Sequence, residues 1–415
     1  MQTTRFNSKG ARRSFSGSRS ASSGSRSSRF GGGRSSGRFG GGRRASRGPR
    51  IDPSKFISKA MIVGEEKPFI PEHKFEDFNV KQEMKQRIAQ RGYILPTPIQ
   101  DKTINHILAG EDVVGIAETG TGKTAAFLIP LINKVLLHRQ HKVLIVAPTR
   151  ELAIQIDQEF KLFAKGMGIT SACCVGGASI AKQLSELRYN NNFIIGTPGR
   201  LKDFIDRRRI KLFEFTTVVL DEADRMLDMG FINDMRFLMA GMAKERQTLF
   251  FSATLSPEIE KLVGEFLHNP VKISVKTRET AKNVEQNVVR IGPGRSKIDT
   301  LHELLIQEEF SKVLIFGRTK HGVEKLYEIL TEKGFKAESI HGNKKHSKRQ
   351  RALEMFKTSR IQILVATDVA ARGLDISDVS HVINYDLPET YDDYIHRIGR
   401  TGRGDKLGKA LTFIE

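Results

Sequence analysis

The fold is decided by the stretch Ala117-Glu118-Thr119-Gly120-Thr121-Gly122-Lys123-Thr124, which follows an apolar run and precedes a helical pattern. A glycine-rich turn between a strand and a helix points backbone N–H groups at phosphate oxygens, and the helix dipole adds to this. Lys123 would reach the β and γ phosphates of a nucleotide, and the hydroxyl of Thr124 would bind Mg²⁺. Ala117 replaces the first glycine of the usual pattern, but the strand-loop-helix context still predicts a phosphate loop. The expected nucleotide contacts are Ala117, Thr119, Gly120, Thr121, Gly122, Lys123 and Thr124.

An acidic pair ends a second apolar strand, in the stretch Val218-Val219-Leu220-Asp221-Glu222-Ala223-Asp224. In a phosphate-loop fold Asp221 would hold Mg²⁺ through water, opposite the phosphates. Glu222 could then orient and deprotonate the attacking water. The alternative is a capped helix with acids in its first turn. The phosphate loop upstream favours the catalytic interpretation.

Short apolar runs alternate with amphipathic helical stretches from about residue 70, which predicts parallel sheets with helices on both faces. Residues 276–296 interrupt this rhythm and are expected to be a linker between two α/β domains, 70–275 and 297–415. The predicted strands are Val113 to Ala117, Val143 to Ala147, Phe193 to Gly196, Thr217 to Leu220, Thr248 to Phe251, Lys312 to Phe316, Ala337 to Ile340, Ile361 to Ala366 and His381 to Tyr385.

Charge is unevenly distributed along the 415 residues, whose formal net charge is +21. Residues 1–50 contain twelve Arg and one Lys without an acid, among Ser and Gly, so we expect a disordered tail. Such a tail could bind RNA through Arg and Phe, or act as a solubilising leader. The adjacent Cys173 and Cys174 are expected to be buried in a strand. Without a run of 18 apolar residues or a secretory signal, we expect no membrane span and a cytoplasmic protein.

D-E-A-D at residues 221–224 and the motifs around it resemble the DEAD-box family of ATP-dependent RNA helicases (superfamily 2), in order over residues 75–404. The resemblance implies two tandem RecA-like domains, ATP and Mg²⁺ as cofactors, RNA as partner and a monomeric core. His341-Gly342-Asn343-Lys344 looks more like the bacterial RhlE-like subgroup. His346 stands where the family usually has Gln, whereas Arg349 is kept.

The segment Pro96-Thr97-Pro98-Ile99-Gln100 resembles the family's Q motif. The amide of Gln100 can donate to and accept from the Hoogsteen edge of adenine. Phe75 and Tyr93 would cover the face of the base. This predicts selectivity for ATP over GTP.

The resemblance also implies residues that bind RNA and residues that couple RNA to the nucleotide. Ser252-Ala253-Thr254 is similar to the family's S-A-T motif, which links the nucleotide site to strand separation. Loops at strand ends can meet a ligand, glycines allow close approach of a backbone, and Thr and Arg donate to phosphate oxygens. The expected RNA contacts are Pro148, Thr149, Arg150, Glu151, Gly176, Gly177, Thr197, Pro198, Gly199 and Arg200 in the first domain, and Gly342, Thr367 and Asp368 in the second.

In the second domain the resemblance places Asp375 on the ATP ribose and Arg400 and Arg403 on the γ-phosphate as arginine fingers, with His396 in a coupling role. ATP and RNA would together favour a closed arrangement of the domains, so RNA should stimulate ATP hydrolysis and closure should separate short duplexes. Two alternatives stay open: a DNA helicase or translocase with the same core, and an ATP-independent RNA chaperone driven by the tail. Ribosome assembly, RNA decay and cold adaptation are all compatible with the sequence, as are partners from those pathways.

Overall fold

The computed structural model describes residues 52–58, 69–118, 120–275, 283–371, 379–402 and 407–414. Several predictions fall outside these residues, namely those for the tail 1–50, Thr119, Asp375, Arg403 and the side chain of His346.

The first RecA-like domain contains a parallel sheet of seven strands in the described part of the chain. Its strands are β1 (Val113–Ile116), β2 (Val143–Val146), β3 (Ser171–Cys174), β4 (Phe193–Gly196), β5 (Thr217–Leu220), β6 (Gln247–Ser252) and β7 (Val271–Ser274). Its helices are α1 (Gln82–Gln90), α2 (Pro98–Ala109), α3 (Lys123–Leu137), α4 (Arg150–Phe163), α5 (Ile180–Glu186), α6 (Pro198–Asp206), α7 (Ala223–Asp228), α8 (Ile232–Gly241) and α9 (Pro257–Phe266). The order across the sheet is β3-β4-β2-β5-β6-β1-β7.

Successive residues of each central strand point to opposite faces, and both faces are covered. Val113 packs in the apolar cluster under α3 and α4, whereas its neighbour Val114 packs in the cluster under α6, α8 and α9. A strand buried on both faces reads as an uninterrupted apolar run, which is why β1, β2, β4 and β5 were visible in the sequence.

The second RecA-like domain contains a parallel sheet of six strands among the residues described. Its strands are β8 (Val284–Arg290), β9 (Val313–Phe316), β10 (Ala337–Ile340), β11 (Ile363–Ala366), β12 (His381–Asn384) and β13 (Gly408–Ile414). Its helices are α10 (Lys297–Leu305), α11 (Lys320–Glu332), α12 (His346–Lys357), α13 (Asp368–Ala371) and α14 (Tyr391–Ile398). The order is β10-β11-β9-β12-β13-β8. Two 3-10 turns, Pro53–Phe56 and Leu212–Glu214, complete the described elements.

One expectation about the domain boundary is wrong. The predicted linker 276–296 contains β8, which pairs with β13 over seven residues, from Val284 with Gly408 to Arg290 with Ile414. This strand lies at the edge of the sheet and contains three consecutive polar residues, so it lacks the continuous apolar run by which the other strands were found. The predicted strands are all present, with ends that differ by at most two residues.

No helix in the described ranges is both long enough and apolar enough to span a membrane.

Candidate functional site

The strand order divides one edge of the first sheet into two halves. The carboxyl ends of parallel strands lie at the same edge, where such folds bind ligands. The neighbours β5, β6 and β1 lead into the acidic pair, the S-A-T turn and the phosphate loop. The neighbours β3, β4 and β2 lead into the loops expected to contact RNA. The loops expected to bind the nucleotide and those expected to contact RNA therefore lie side by side, and we call them the nucleotide half and the nucleic-acid half.

The phosphate loop turns sharply before α3. Gly120 and Gly122 have φ of +90° and +92°, a region that glycine enters without strain. Lys123, which starts α3, is 6% exposed, and its Nζ donates to the carbonyl of Ala117 at 2.8 Å. Thr121 Oγ1 donates to the carbonyl of Glu118 at 2.8 Å. The ammonium of Lys123 therefore bonds to the loop itself. When a nucleotide binds, we expect it to donate to phosphate oxygens in place of the Ala117 carbonyl.

Gln100 is fixed against the phosphate loop. Its Oε1 accepts from the backbone N–H of Thr97 at 3.0 Å, and its Nε2 donates to the carbonyl of Gly122 at 3.1 Å. The side chain is 1% exposed. Sequence reasoning expected an amide that reads adenine, whereas here the amide holds the loop. One N–H of the amide and one acceptor position stay available for a base.

The two aromatic residues expected over the base pack against each other. The rings of Phe75 and Tyr93 meet edge to face with centroids 5.7 Å apart, and Tyr93 also packs on Phe163. Phe75 is 5% exposed and belongs to the apolar core. Its ring contributes to the core beneath the Q motif.

The acidic pair after β5 is buried. Burial raises the pKa of Asp221 to about 6, against the opposing charge of Lys123 and with a further increase from Glu222. Glu222 has φ of +53°, which is uncommon for a residue other than glycine. Its Oε2 accepts from Nη1 of Arg225 at 2.8 Å, and both side chains are almost fully buried. Sequence reasoning missed this arginine, because nothing in the motif links it to the glutamate.

Asp224 joins the acidic pair to the S-A-T turn. Its Oδ2 accepts from the backbone N–H groups of Ala253 and Thr254 at 2.9 and 3.1 Å. Ser252 Oγ donates to the carbonyl of Thr254 at 2.8 Å. No role was predicted for Asp224, although it stands in the motif. It physically connects two of the predicted motifs.

The residues present fit a magnesium ion that is completed by a nucleotide. Among the described residues no group of three or more His, Cys, Asp or Glu could hold a metal alone. Magnesium keeps waters and commonly takes one or two carboxylates together with substrate phosphates. Asp221, whose pKa is raised by burial, is suited to this, with Thr124 half-buried at the start of α3.

In the nucleic-acid half, Arg150 lies against two glycines. A Cβ on Gly177 would come within 2.2 Å of Nη1 of Arg150, and one on Gly176 within 3.1 Å of Nη2. This contact brings together two loops that are separate in the sequence. Thr149 caps α4 by accepting from the N–H of Leu152. A Cβ on Gly199 would meet nothing within 4 Å, so the start of α6 is open to a ligand.

Two acids expected at the RNA-contact positions are paired with arginines instead. Asp368 accepts from Nε and Nη2 of Arg397 at 2.6 and 2.8 Å. Glu151 forms an ion pair at 2.9 Å with Arg349, which lies in α12 of the second domain. The neighbouring Thr367, which is 9% exposed, donates its N–H to the carbonyl of Ile340. Both carboxylates are thus bound by arginines, and their contacts with RNA stay predictions.

Arg400 and His396 lie at the end of α14. His396 is in the last turn, and Arg400 follows the helix by two residues with 3% of its surface exposed. Its backbone N–H donates to the carbonyl of Arg397 at 3.2 Å. Arg397 itself also donates to Asn384 and to the carbonyl of Asp386, which fixes the helix on the sheet.

Comparison with known proteins agrees with this geometry. The family model described as DEAD/DEAH box helicase matches residues 97–262, and that of the helicase conserved C-terminal domain matches residues 296–405. The DEAD-box ATP-dependent RNA helicase CshA of Bacillus subtilis (strain 168) is 45% identical over 342 residues, 82% of this chain and 69% of that protein.

Two solved structures are also similar. Dbp5 of S. cerevisiae bound to RNA and ADP BeF3 has a TM-score of 0.74 at 29% identity, covering 82% of this chain and 89% of that one. Mss116p bound to ssRNA and AMP-PNP has a TM-score of 0.73 at 32% identity, covering 81% and 72%. The RhlE-like subgroup stays a prediction, since the relative named here is a CshA protein. Two family models and a relative of this identity show that the chain belongs to the DEAD-box ATP-dependent RNA helicases.

Proposed function

We propose that this chain couples ATP hydrolysis to local separation of short RNA duplexes and to remodelling of RNA–protein complexes. The observation that carries the proposal is the divided edge of the first sheet, where nucleotide loops and RNA-type loops end adjacent strands. Within the nucleotide half, Asp224 bonds the acidic motif directly to the S-A-T turn.

In the nucleotide half, Lys123 would leave the carbonyl of Ala117 and donate to the β and γ phosphates, while Gln100 holds the loop. Glu222, held by Arg225, would orient the attacking water and accept its proton. Asp221 and Thr124 would hold Mg²⁺, which when bound neutralises charge that develops on the phosphates.

In the nucleic-acid half, the backbone of a single strand would lie over Gly176, Gly177 and the start of α6. Arg150 would donate to phosphate oxygens. The residues available here are glycines, hydroxyls and cations, which read the sugar-phosphate backbone. We therefore expect little dependence on RNA sequence.

In the second domain, Arg400 and Arg403 would reach the γ-phosphate and Asp375 the ribose. RNA would be contacted by Gly342 and Thr367. Because ATP and RNA each bind both domains, each favours the arrangement that the other needs. An arginine finger of this type raises the rate of phosphoryl transfer by a factor of about 10³ to 10⁵. RNA-stimulated hydrolysis follows.

Closure would separate only a few base pairs at a time. A bent strand in the closed groove loses stacking with its partner, at roughly 1 to 2 kcal/mol per step by the DNA figure. Short duplexes are within reach of one closure. Hydrolysis would then reopen the domains and release the strand.

The test is ATP turnover measured without nucleic acid, with single-stranded RNA and with DNA of the same sequence. We expect RNA to accelerate turnover strongly and Arg403→Ala to abolish that acceleration. Equal turnover with and without RNA, together with an active Arg403→Ala variant, would sink the proposal. Equal stimulation by DNA would instead favour the translocase alternative.

The tail is proposed to add non-specific RNA binding through its thirteen positive charges. Deleting residues 1–50 should weaken RNA binding in a salt-dependent manner and leave the maximal ATPase rate unchanged. Loss of all remodelling with normal ATPase would favour the chaperone alternative. A monomeric core and a cytoplasmic location are proposed with it, the latter supported by free Cys173 and Cys174, which suit a reducing compartment.

A further inference from the structure

The first described segment of the chain, residues 52–58, packs on the second domain. Phe56 ends the 3-10 turn Pro53–Phe56 and is fully buried, although it precedes the first domain in sequence. Its ring meets the ring of Tyr394 edge to face with centroids 4.7 Å apart. It shares a small apolar cluster with Val284 of β8, Ile398 of α14 and Ala410 of β13.

Backbone hydrogen bonds fix the same segment. The N–H of Ser58 donates to the carbonyl of Gln286 at 3.0 Å, and the N–H of Gln286 donates back to Ser58 at 2.7 Å. This antiparallel bridge lies on β8, an edge strand whose outer backbone groups are otherwise available for pairing. Tyr394 Oη donates to Oε1 of Gln286 at 2.9 Å, so the bridge and the ring contact converge on one glutamine.

These contacts fall on the helix that leads to the proposed arginine fingers. Tyr394 and Ile398 are four residues apart and share the face of α14 that meets Phe56. Arg397 anchors the helix separately, through Asp368 and the loop after β12. The helix is therefore held at two separate places, by the cluster around Phe56 and by Arg397, and Arg400 follows it by two residues.

We infer that residues 52–58 form a positioning strap that fixes the position of α14 and so the placement of Arg400. The inference rests on the proposed role of Arg400 as an arginine finger. The strap precedes β1 in the chain but packs beside β8 and α14, so the segment N-terminal to the first domain is held on the second domain by noncovalent contacts. Loss of Phe56 would remove the ring that packs on Tyr394 and leave a gap in the cluster that holds α14 on β8 and β13.

The experiment uses the full chain with Phe56→Ala, and with Ile57→Ala as the matched control. Ile57 is the next residue, has a comparable side chain and is 57% exposed. We expect Phe56→Ala to lower RNA-saturated kcat by about tenfold, because small misplacements of a catalytic group have effects of this size or larger. The KM for ATP should stay within about twofold, since the ATP-binding loops are in the first domain. Ile57→Ala should match the wild type.

Rescue separates positioning from a loss of stability. Phe56→Leu, which restores apolar volume, and a synthetic peptide of residues 50–60 added to Phe56→Ala should each recover kcat. The same peptide with Ala in place of Phe56 should not. Unfolding midpoints recorded alongside show how much of each variant is folded at the assay temperature.

Three results would overturn the strap: wild-type kcat in Phe56→Ala, a fall that only follows the unfolded fraction, or faster turnover without RNA, which would mark an inhibitory contact. The variant Arg400→Ala distinguishes a failure of the proposed function from a failure of the strap. If that variant is fully active, the finger assignment of the proposed function fails. If it is inactive while Phe56→Ala is normal, only the strap fails.

Discussion

The surroundings of Glu222 hold its carboxylate in one position, which suits the proposed role as general base. It is buried, has a left-handed backbone conformation and shares its Oε2 with Arg225. We expect Glu222→Gln to bind ATP and RNA normally, since the amide oxygen can still accept from Arg225. Hydrolysis should slow by about 10² to 10⁴, the usual contribution of a general base. Single-turnover ATPase with parallel binding titrations measures both. Glu245→Gln, on the exposed surface, is the control. Unchanged turnover in Glu222→Gln would assign the base elsewhere.

The carboxyl group of Asp221 leads us to expect that ATPase activity depends on pH. Its pKa is raised to about 6, so the neutral form predominates below that pH and the anion that binds Mg²⁺ predominates above it. ATPase activity should therefore fall as pH drops through about 6. A cation stabilises the anion, so higher Mg²⁺ concentrations should move this limb to lower pH. The measurement is kcat/KM against pH at two Mg²⁺ concentrations, and a limb that ignores Mg²⁺ would contradict it.

For single residues, the sequence predicted the candidate site residues but not the side chains and backbone groups to which they bond. Motif spacing identified Lys123 and Glu222, because a phosphate loop and an acidic strand end are local patterns. The partner of Glu222 and the bond from Gln100 to Gly122 depend on how separate segments pack. Asp368 shows the same limit. The sequence placed it at a ligand-facing strand end, and only the fold brings Arg397 to it.

Among the elements, the start of α3 depends on one glycine. A Cβ on Gly122 would come within 2.5 Å of Nε2 of Gln100, in a backbone region that L-residues enter at a cost of about 1 to 2 kcal/mol. Gly122→Ala should weaken ATP binding by at least about tenfold, which corresponds to about 1.4 kcal/mol. Gly264→Ala is the control. That residue lies in α9, where an added Cβ would meet nothing within 4 Å, and the change should stabilise the fold by about 0.4 to 1 kcal/mol. Calorimetric titration with ATP and unfolding midpoints test both. Normal ATP affinity in Gly122→Ala would contradict this role.

The turn after β6 depends on α7 in a similar way. Asp224 accepts two backbone N–H groups of the S-A-T turn, and hydrogen bonds to a charged acceptor contribute about 1.5 to 3 kcal/mol. Asp224→Asn weakens these bonds without removing a nucleotide ligand. RNA-stimulated ATPase should persist while duplex separation per ATP falls severalfold. Asp206→Asn, at the exposed end of α6, should change neither. Parallel loss of both activities in Asp224→Asn would place the residue in hydrolysis itself.

Strands with a continuous apolar run were predictable, whereas two of the edge strands, β7 and β8, were not. β2 and β11 are buried on both faces and were found to within two residues. β7 and β8 are edge strands with alternating or polar sequences, and neither was predicted. The error over residues 276–296 follows from this. Pairing with β13 is a long-range contact that no window of the sequence contains.

For the whole molecule, the described contact between Glu151 and Arg349 joins the two domains. The side chains are 8% and 11% exposed, so salt screens the pair little. Burial lowers the pKa of Arg349, Glu151 opposes that shift and the nearby charge of Arg150 adds to it. Arg349 therefore lies near both an acid and a cation of the first domain. The ion pair connects the nucleic-acid half of the first domain to α12 of the second domain.

We expect Glu151→Gln and Arg349→Met each to reduce RNA affinity in the presence of an ATP analogue by about tenfold or more, because each leaves one buried charge unpaired. The double variant should be no weaker than the weaker single one, with a coupling energy of about 1 kcal/mol or more. RNA binding without nucleotide should change less, since the first domain alone then holds the strand. Fluorescence anisotropy with labelled RNA measures the affinity of the wild type, the two single variants and the double variant, each with and without the analogue. Strictly additive losses would mean that each residue touches RNA independently, and the domains would then be brought together by their ligands without help from this ion pair.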